Sequence, residues 1–183
     1  MNQKLAQMLL YVAHKLTGDQ WNGKTKIHKI LFFSDFDAFR QTGQSISGED
    51  YIKYDQGPFL PAVDTTVRKL ANGNIADWAQ PNERGEIQLE IRAAQIKTDL
   101  LSAAEIAIID STVQRFWGQT ARAVSNQSHR LFGWLTTPNS KVIPYKSAYV
   151  GDPRPLNADE NDWALDLIGR YREWKREKAE YCP

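Results

Sequence analysis

Lys24-Thr25-Lys26-Ile27-His28-Lys29-Ile30-Leu31-Phe32-Phe33-Ser34-Asp35-Phe36-Asp37-Ala38-Phe39 decides the fold. Ile27, Ile30 and Leu31 recur at helical spacing, and Phe32, Phe36 and Phe39 add a second apolar face. A helix that is apolar nearly all round is packed on several sides, so a central helix is expected over about 24–41. Thr42-Gly43 ends it at a C-cap glycine. Asp35 follows Leu31 by four and falls on the core-facing side, where a carboxylate needs partners.

Helices flank this element. Leu5, Met8, Leu9, Val12 and Leu16 make one stripe, predicting a helix over about 3–16 that Gly18 terminates. Residues 44–58 read as a short extended piece carrying Tyr51, Ile52 and Tyr54, punctuated by Gly48, Gly57 and Pro58. Pro58 is expected to open a third helix over about 59–72, with Val63, Val67 and Leu70 as its stripe. Ile75–Trp78 and Glu86–Arg92 suggest a β-hairpin, the second by polar–apolar alternation and the Pro81–Gly85 link by its turn residues. Ser102-Ala103-Ala104-Glu105 is a capping box. It opens a helix with Ile106, Ile109, Val113, Phe116 and Trp117 on one side. Thr120 caps a shorter helix to about Arg130, residues 131–157 read as irregular, and a sixth helix is expected over about 158–180. The fold class is therefore α+β, predominantly helical, with about six helices and a small antiparallel β-hairpin.

Composition restricts the chemistry. Hydrophobic residues are 42% and charged residues 25% of 183, ordinary globular usage. Lys and Arg number 23 against 22 Asp and Glu, so the net charge of +1 gives no bulk attraction to nucleic acid or acidic membranes. The lone Cys182 can form no internal disulfide or cysteine-rich zinc site, which points to a reducing, cytoplasmic setting. No apolar run reaches membrane-spanning length, and the N-terminal stretch reads as a helix and not as a signal peptide. His14, His28 and His129 lack metal-ligand spacing, and no nucleophile elbow or phosphate-binding glycine loop is present. Ser128 and His129 are adjacent, but helical neighbours project about 100° apart, which disfavours a catalytic pair. Two alternatives stay open. Helices followed by a hairpin outline a winged-helix DNA-binding repressor, and Asp35 or His129 could serve a hydrolase-like enzyme.

Several stretches, in order, resemble one family. Lys26 to Asp35 resembles its K-L-x-K-L-L-Y-F-A-D helix, and Thr42 to Tyr51 its T-G-x-P-I-x-G-x-x-Y turn. Tyr54-Asp55-Gln56-Gly57-Pro58 resembles its x-x-G-P-V corner. Leu101-Ser102-Ala103-Ala104-Glu105, then Thr120-Ala121, Ser128-His129 and Trp134, resemble its L-S-x-x-E … S-A … S-H … W half. This is the Panacea domain, the SocA-like antitoxin family, also found among phage-associated proteins. The resemblance spans about residues 5–150, with Ser34 in place of Ala, Ser45 of Pro and Phe59 of a small apolar residue.

The resemblance implies an antitoxin that neutralises a cognate protein toxin by direct contact, with no enzymatic activity and no cofactor. Asp35, Tyr54, Gly57, Pro58, His129 and Trp134, which carry the motifs, are then the expected partner-binding residues. Residues 1–157 form the expected domain, and 158–183 a C-terminal amphipathic helix packed on or appended to it, with Trp163, Leu167, Tyr171 and Trp174 as its stripe. The expected partner is the toxin; nucleic acid and membrane are disfavoured, and a homo-oligomer is left open. Leu131, Phe132, Trp134, Ile143 and Tyr145, large side chains among prolines, are the expected recognition face.

Overall fold

The computed structural model describes residues 2–150 and, in the tail, Asp162, Leu165, Asp166, Ile168, Gly169, Arg170, Arg172, Glu173 and Arg176. The chain divides into two units, residues 1–152 and 153–183. The described tail residues are helical and exposed. Trp163, Leu167, Tyr171 and Trp174, the expected stripe of the sixth helix, lie outside the described residues.

The first unit is built around α2 (Lys24–Thr42), which packs against α1 (Gln3–Lys15), α4 (Ala103–Phe116) and α5 (Ala121–Ser128). Its Ile27, Ile30, Leu31 and Phe32 are wholly buried, as the apolar run predicts. Gly43 closes it with φ +77°, donating its N–H to Phe39 O. Such a left-handed cap strongly favours a residue without Cβ. The capping box of α4 is present in both directions, Ser102 Oγ accepting from Glu105 N–H while the Glu105 carboxylate accepts from Ser102 N–H. Ile109, Val113 and Phe116 then face the core. The protein is α+β and predominantly helical.

The strands depart from the expectation in number and place. The expected hairpin exists, as β3 (Ala76–Trp78) paired antiparallel with β4 (Leu89–Ile91). A second one precedes it: β1 (Ile52–Tyr54) pairs with β2 (Gly57–Phe59) across the two-residue turn Asp55-Gln56. Pro58 therefore does not open a helix; it sits in β2 opposite Lys53. β2 is the edge of this ladder, where a residue lacking an N–H is tolerated. The third helix, α3 (Ala62–Asn72), begins after Pro61 instead.

The segment after α5 holds more structure than an irregular reading allows. It forms α6 (Phe132–Thr136) and a 3₁₀ turn at Tyr145–Tyr149. Between them the chain runs along the free side of β1: Lys53 N–H donates to Lys141 O at 2.9 Å, and Ile143 N–H to Tyr51 O at 2.8 Å. Ile143 is 1% exposed, and the Tyr145 ring stacks on Phe36 at 4.7 Å and Phe39 at 5.2 Å. Ile143 thus belongs to the interior, and Tyr145 is half-buried against it.

Candidate partner-binding site

Polar groups enter the interior along α2, and Lys26, His28, Lys29 and Asp35 are each anchored by a neighbouring segment. Lys26 is fully buried and pairs with Asp19 at 2.5 Å, while also donating to Gln119 O at 2.8 Å. Asp35 is 0% exposed. It accepts from Ser47 N–H at 2.8 Å, Ser47 Oγ at 2.5 Å and Tyr51 Oη at 2.6 Å. Burial pushes its carboxyl up to about 6, against the pull of these three donors.

Nearer the helix start, His28 and Lys29 meet the β1–β2 corner. Leu60 N–H donates to His28 Nδ1 at 3.2 Å, so the neutral ring carries its proton on Nε2, which is buried without a partner. Burial first, then the charge of Lys29, holds this imidazole down to about 3. The Lys29 ammonium donates to Pro58 O at 2.8 Å, and burial pulls it down to about 7. Gly57 shows why the corner carries glycine. Its φ is +95°, and a Cβ there would stand 2.8 Å from Lys29 Cε and 2.9 Å from Ser128 Oγ.

On the other flank, α5 and α6 add two rings. His129 stacks on Trp134 at 4.1 Å and 18°, and the Lys53 ammonium lies 4.1 Å over the indole. Burial lowers the His129 pKa, with the nearby charges of Lys29 and Lys53 acting in the same direction. His129 Nε2 and Trp134 Nε1 are buried with no protein partner. Ser125 Oγ ties α5 to the turn by donating to Gln56 O at 3.1 Å. Ser128 Oγ donates to Ser125 O at 2.7 Å and not to the neighbouring imidazole.

The corner thus gathers Tyr54, Gly57, Pro58, His129 and Trp134, five of the six expected residues. Tyr54 is 41% exposed and meets Phe59 edge-on at 5.7 Å, whereas Gly57 and Pro58 are buried and give the corner its shape. Asp35 faces the interior further along α2, among Ser47 and Tyr51. Two residues escaped the sequence reading, Lys29 and Lys53. Lys29 left a trace, a lysine between Ile27 and Ile30 on a helix with no wholly polar face; Lys53 left none.

Two cavities open at the corner. One of 420 Å³ is lined by Lys24, Thr25, His28, Lys29, Tyr54, Gln56, Gly57 and Phe59. The other, 340 Å³, lies between the turn and α5, against Arg122, Asn126 and His129. A larger one of 820 Å³ lies between the end of α1 and the segment after β4, and holds no motif residue. Among the described residues no three His, Cys, Asp or Glu side chains group to hold a metal ion, and no helix is long and apolar enough to cross a membrane.

The model of the antitoxin SocA-like, Panacea domain family matches residues 27–135. The chain belongs to this family. The matched part of the Panacea domain runs from the start of the apolar run in α2 to Leu135 in α6, and it contains every residue of the corner. It stops short of α1 and Tyr145, which nonetheless pack into the same core. A curated relative is the trigger factor of Azoarcus sp. (strain BH72), 26% identical over 140 residues. That likeness covers 71% of this chain and 31% of the trigger factor, so the chain spans about a third of its length. No solved structure matches the chain. Membership gives this Panacea domain an antitoxin-type role with a protein partner.

Proposed function

We propose that this Panacea domain is the antitoxin of a toxin–antitoxin or phage-defence pair, and that it neutralises its cognate protein toxin in the cytoplasm by direct binding. The observation that carries this reading is the His129–Trp134 stack beneath Lys53, with a ring nitrogen of each left without a partner. Aromatic anchors with a neighbouring cation are the composition of interface hot spots. Phe132 and Leu135 of α6, 40% and 51% exposed, extend the patch, and Tyr54 flanks it. Gly57 and Pro58 shape the surface from beneath, and Asp35 braces α2, against which α5 packs.

The test is rescue of growth when this chain is co-expressed with the toxin encoded beside it. Trp134→Ala is expected to abolish rescue while far-UV circular dichroism stays that of the wild type. Phe132→Ala and Leu135→Ala, at more exposed positions, are expected to weaken it by roughly tenfold each in affinity. Full rescue by all three variants would move the toxin-binding surface away from this corner. Tight, sequence-specific retention of promoter DNA by the chain alone would put the repressor reading in its place.

A further inference from the structure

The 420 Å³ cavity beside β2 has features that a protein–protein contact does not require. His28, Lys29 and the rings of Tyr54 and Phe59 are among its lining. His28 is 2% exposed, and because Leu60 N–H occupies Nδ1, its Nε2 carries a proton with no acceptor. Lys29, also 2% exposed, has one of its three N–H donors on Pro58 O. Phe59 stacks on the His28 ring at 4.5 Å, and Tyr54 stands edge-on to Phe59. Lys24 at the rim is held by Asp64 at 2.6 Å. No carboxylate side chain lines the space.

We propose that this cavity binds a carboxylate carried on an aromatic or apolar body, its oxygens received by the Lys29 ammonium and its body held against the rings of Tyr54 and Phe59. An ammonium buried among mostly apolar walls favours an anionic acceptor over a neutral one, because a charge-assisted hydrogen bond is roughly twice as strong as one to a neutral carbonyl. The size lies in the range of small-ligand sites. The same chemistry is offered by a free organic acid and by an acidic residue of a polypeptide that sits next to an aromatic one. The inference is independent of the antitoxin reading, and its test contains no toxin.

Benzoate is titrated into the ¹⁵N-labelled full chain, with the amides of Tyr54, Gly57 and Phe59 as reporters. Saturable shifts at those amides are expected within the millimolar range. Benzamide, of the same shape without the charge, is expected to bind roughly tenfold more weakly or not at all, and Lys29→Met to cause a similar loss. Tyr54→Ala removes a wall at an exposed position and is expected to weaken benzoate; with benzamide it decides the matter should Lys29→Met fail to fold. A parallel titration with the capped dipeptide N-acetyl-Asp-Phe-amide separates the sources. Tighter binding of the dipeptide assigns the site to a polypeptide, tighter binding of benzoate to a free acid. The proposal falls if neither probe saturates, if benzamide matches benzoate, or if Lys29→Met and Tyr54→Ala bind benzoate like the wild type.

Discussion

Asp35 and Lys29 lie six residues apart on one helix, both buried, and only one of them was legible. Asp35 could be placed because it follows Leu31 by four in an apolar run; its partners, Ser47 and Tyr51, come from the turn that follows Gly43. Asp35→Ala leaves the Ser47 and Tyr51 hydroxyls without an acceptor in the interior. It is expected to lower stability by about 1–3 kcal/mol, read from a chemical denaturation curve. An unchanged curve would mean that the Ser47 turn holds without the carboxylate. Lys29 shows in sequence only as a lysine between Ile27 and Ile30. Its burial comes from a hairpin that closes over it from residues 57–59, a non-local event that no helical period records. Its consequence is a pH dependence. The ordinary lysine value is 10.5 and the folded value about 7, so between them the unfolded chain holds more protons than the folded one. Stability must then rise with pH across that window and lose this contribution as pH falls toward 7. The titratable groups that feel the charge of Lys29 are His28 on its own helix and His129 on α5; Lys24 and Asp64 act on His28, and Lys53 on His129. Lys29→Met is expected to flatten the rise, seen as urea midpoints at pH 7, 8, 9 and 10. Equal slopes in variant and wild type would show that Lys29 keeps its charge inside.

At the scale of elements, long periodic helices were legible and short strands were not. The apolar run of α2, the stripe of α1 and the capping box of α4 are local signals, repeated over several turns, and the structure follows them. A three-residue strand offers at most one alternation. β1 and β2 are therefore invisible as a period, and Pro58 then reads as the start of a helix that Pro61 in fact precedes. The irregular look of residues 131–157 has a similar origin. Ile143 and Tyr145 reach the core through backbone bonds to β1 and ring stacking on α2, contacts that carry no periodic trace. The corner motif itself was legible as residue types, and its physical demand lies in Gly57. Gly57→Ala forces a Cβ between Lys29 and Ser128 and places an L side chain at φ +95°. A loss of about 1–3 kcal/mol is expected from the backbone conformation alone. Thermal or urea unfolding checks the loss. A variant as stable as the wild type but unable to neutralise toxin would make the glycine a contact residue and not a shaping one.

For the whole molecule, the first unit accounts for its own interior. The buried hydrophobic residues among those described run from Leu5 to Ile143, and α1, α2, α4 and the Tyr145 turn all contribute to one core. The corner that gathers Tyr54, His129 and Trp134 also lies wholly within residues 1–152. A chain ending at Asp152 is therefore expected to fold by itself, with native-like near-UV circular dichroism and a cooperative melt. If the corner is the toxin-binding surface, this shortened chain also rescues cells from the toxin. The two readouts separate two ways of being wrong. A shortened chain that fails to fold shows that the tail is needed to complete the body. One that folds but does not rescue moves part of the recognition surface into residues 153–183, where the mixed charges of Arg170, Arg172, Glu173 and Arg176 would then be the first positions to substitute.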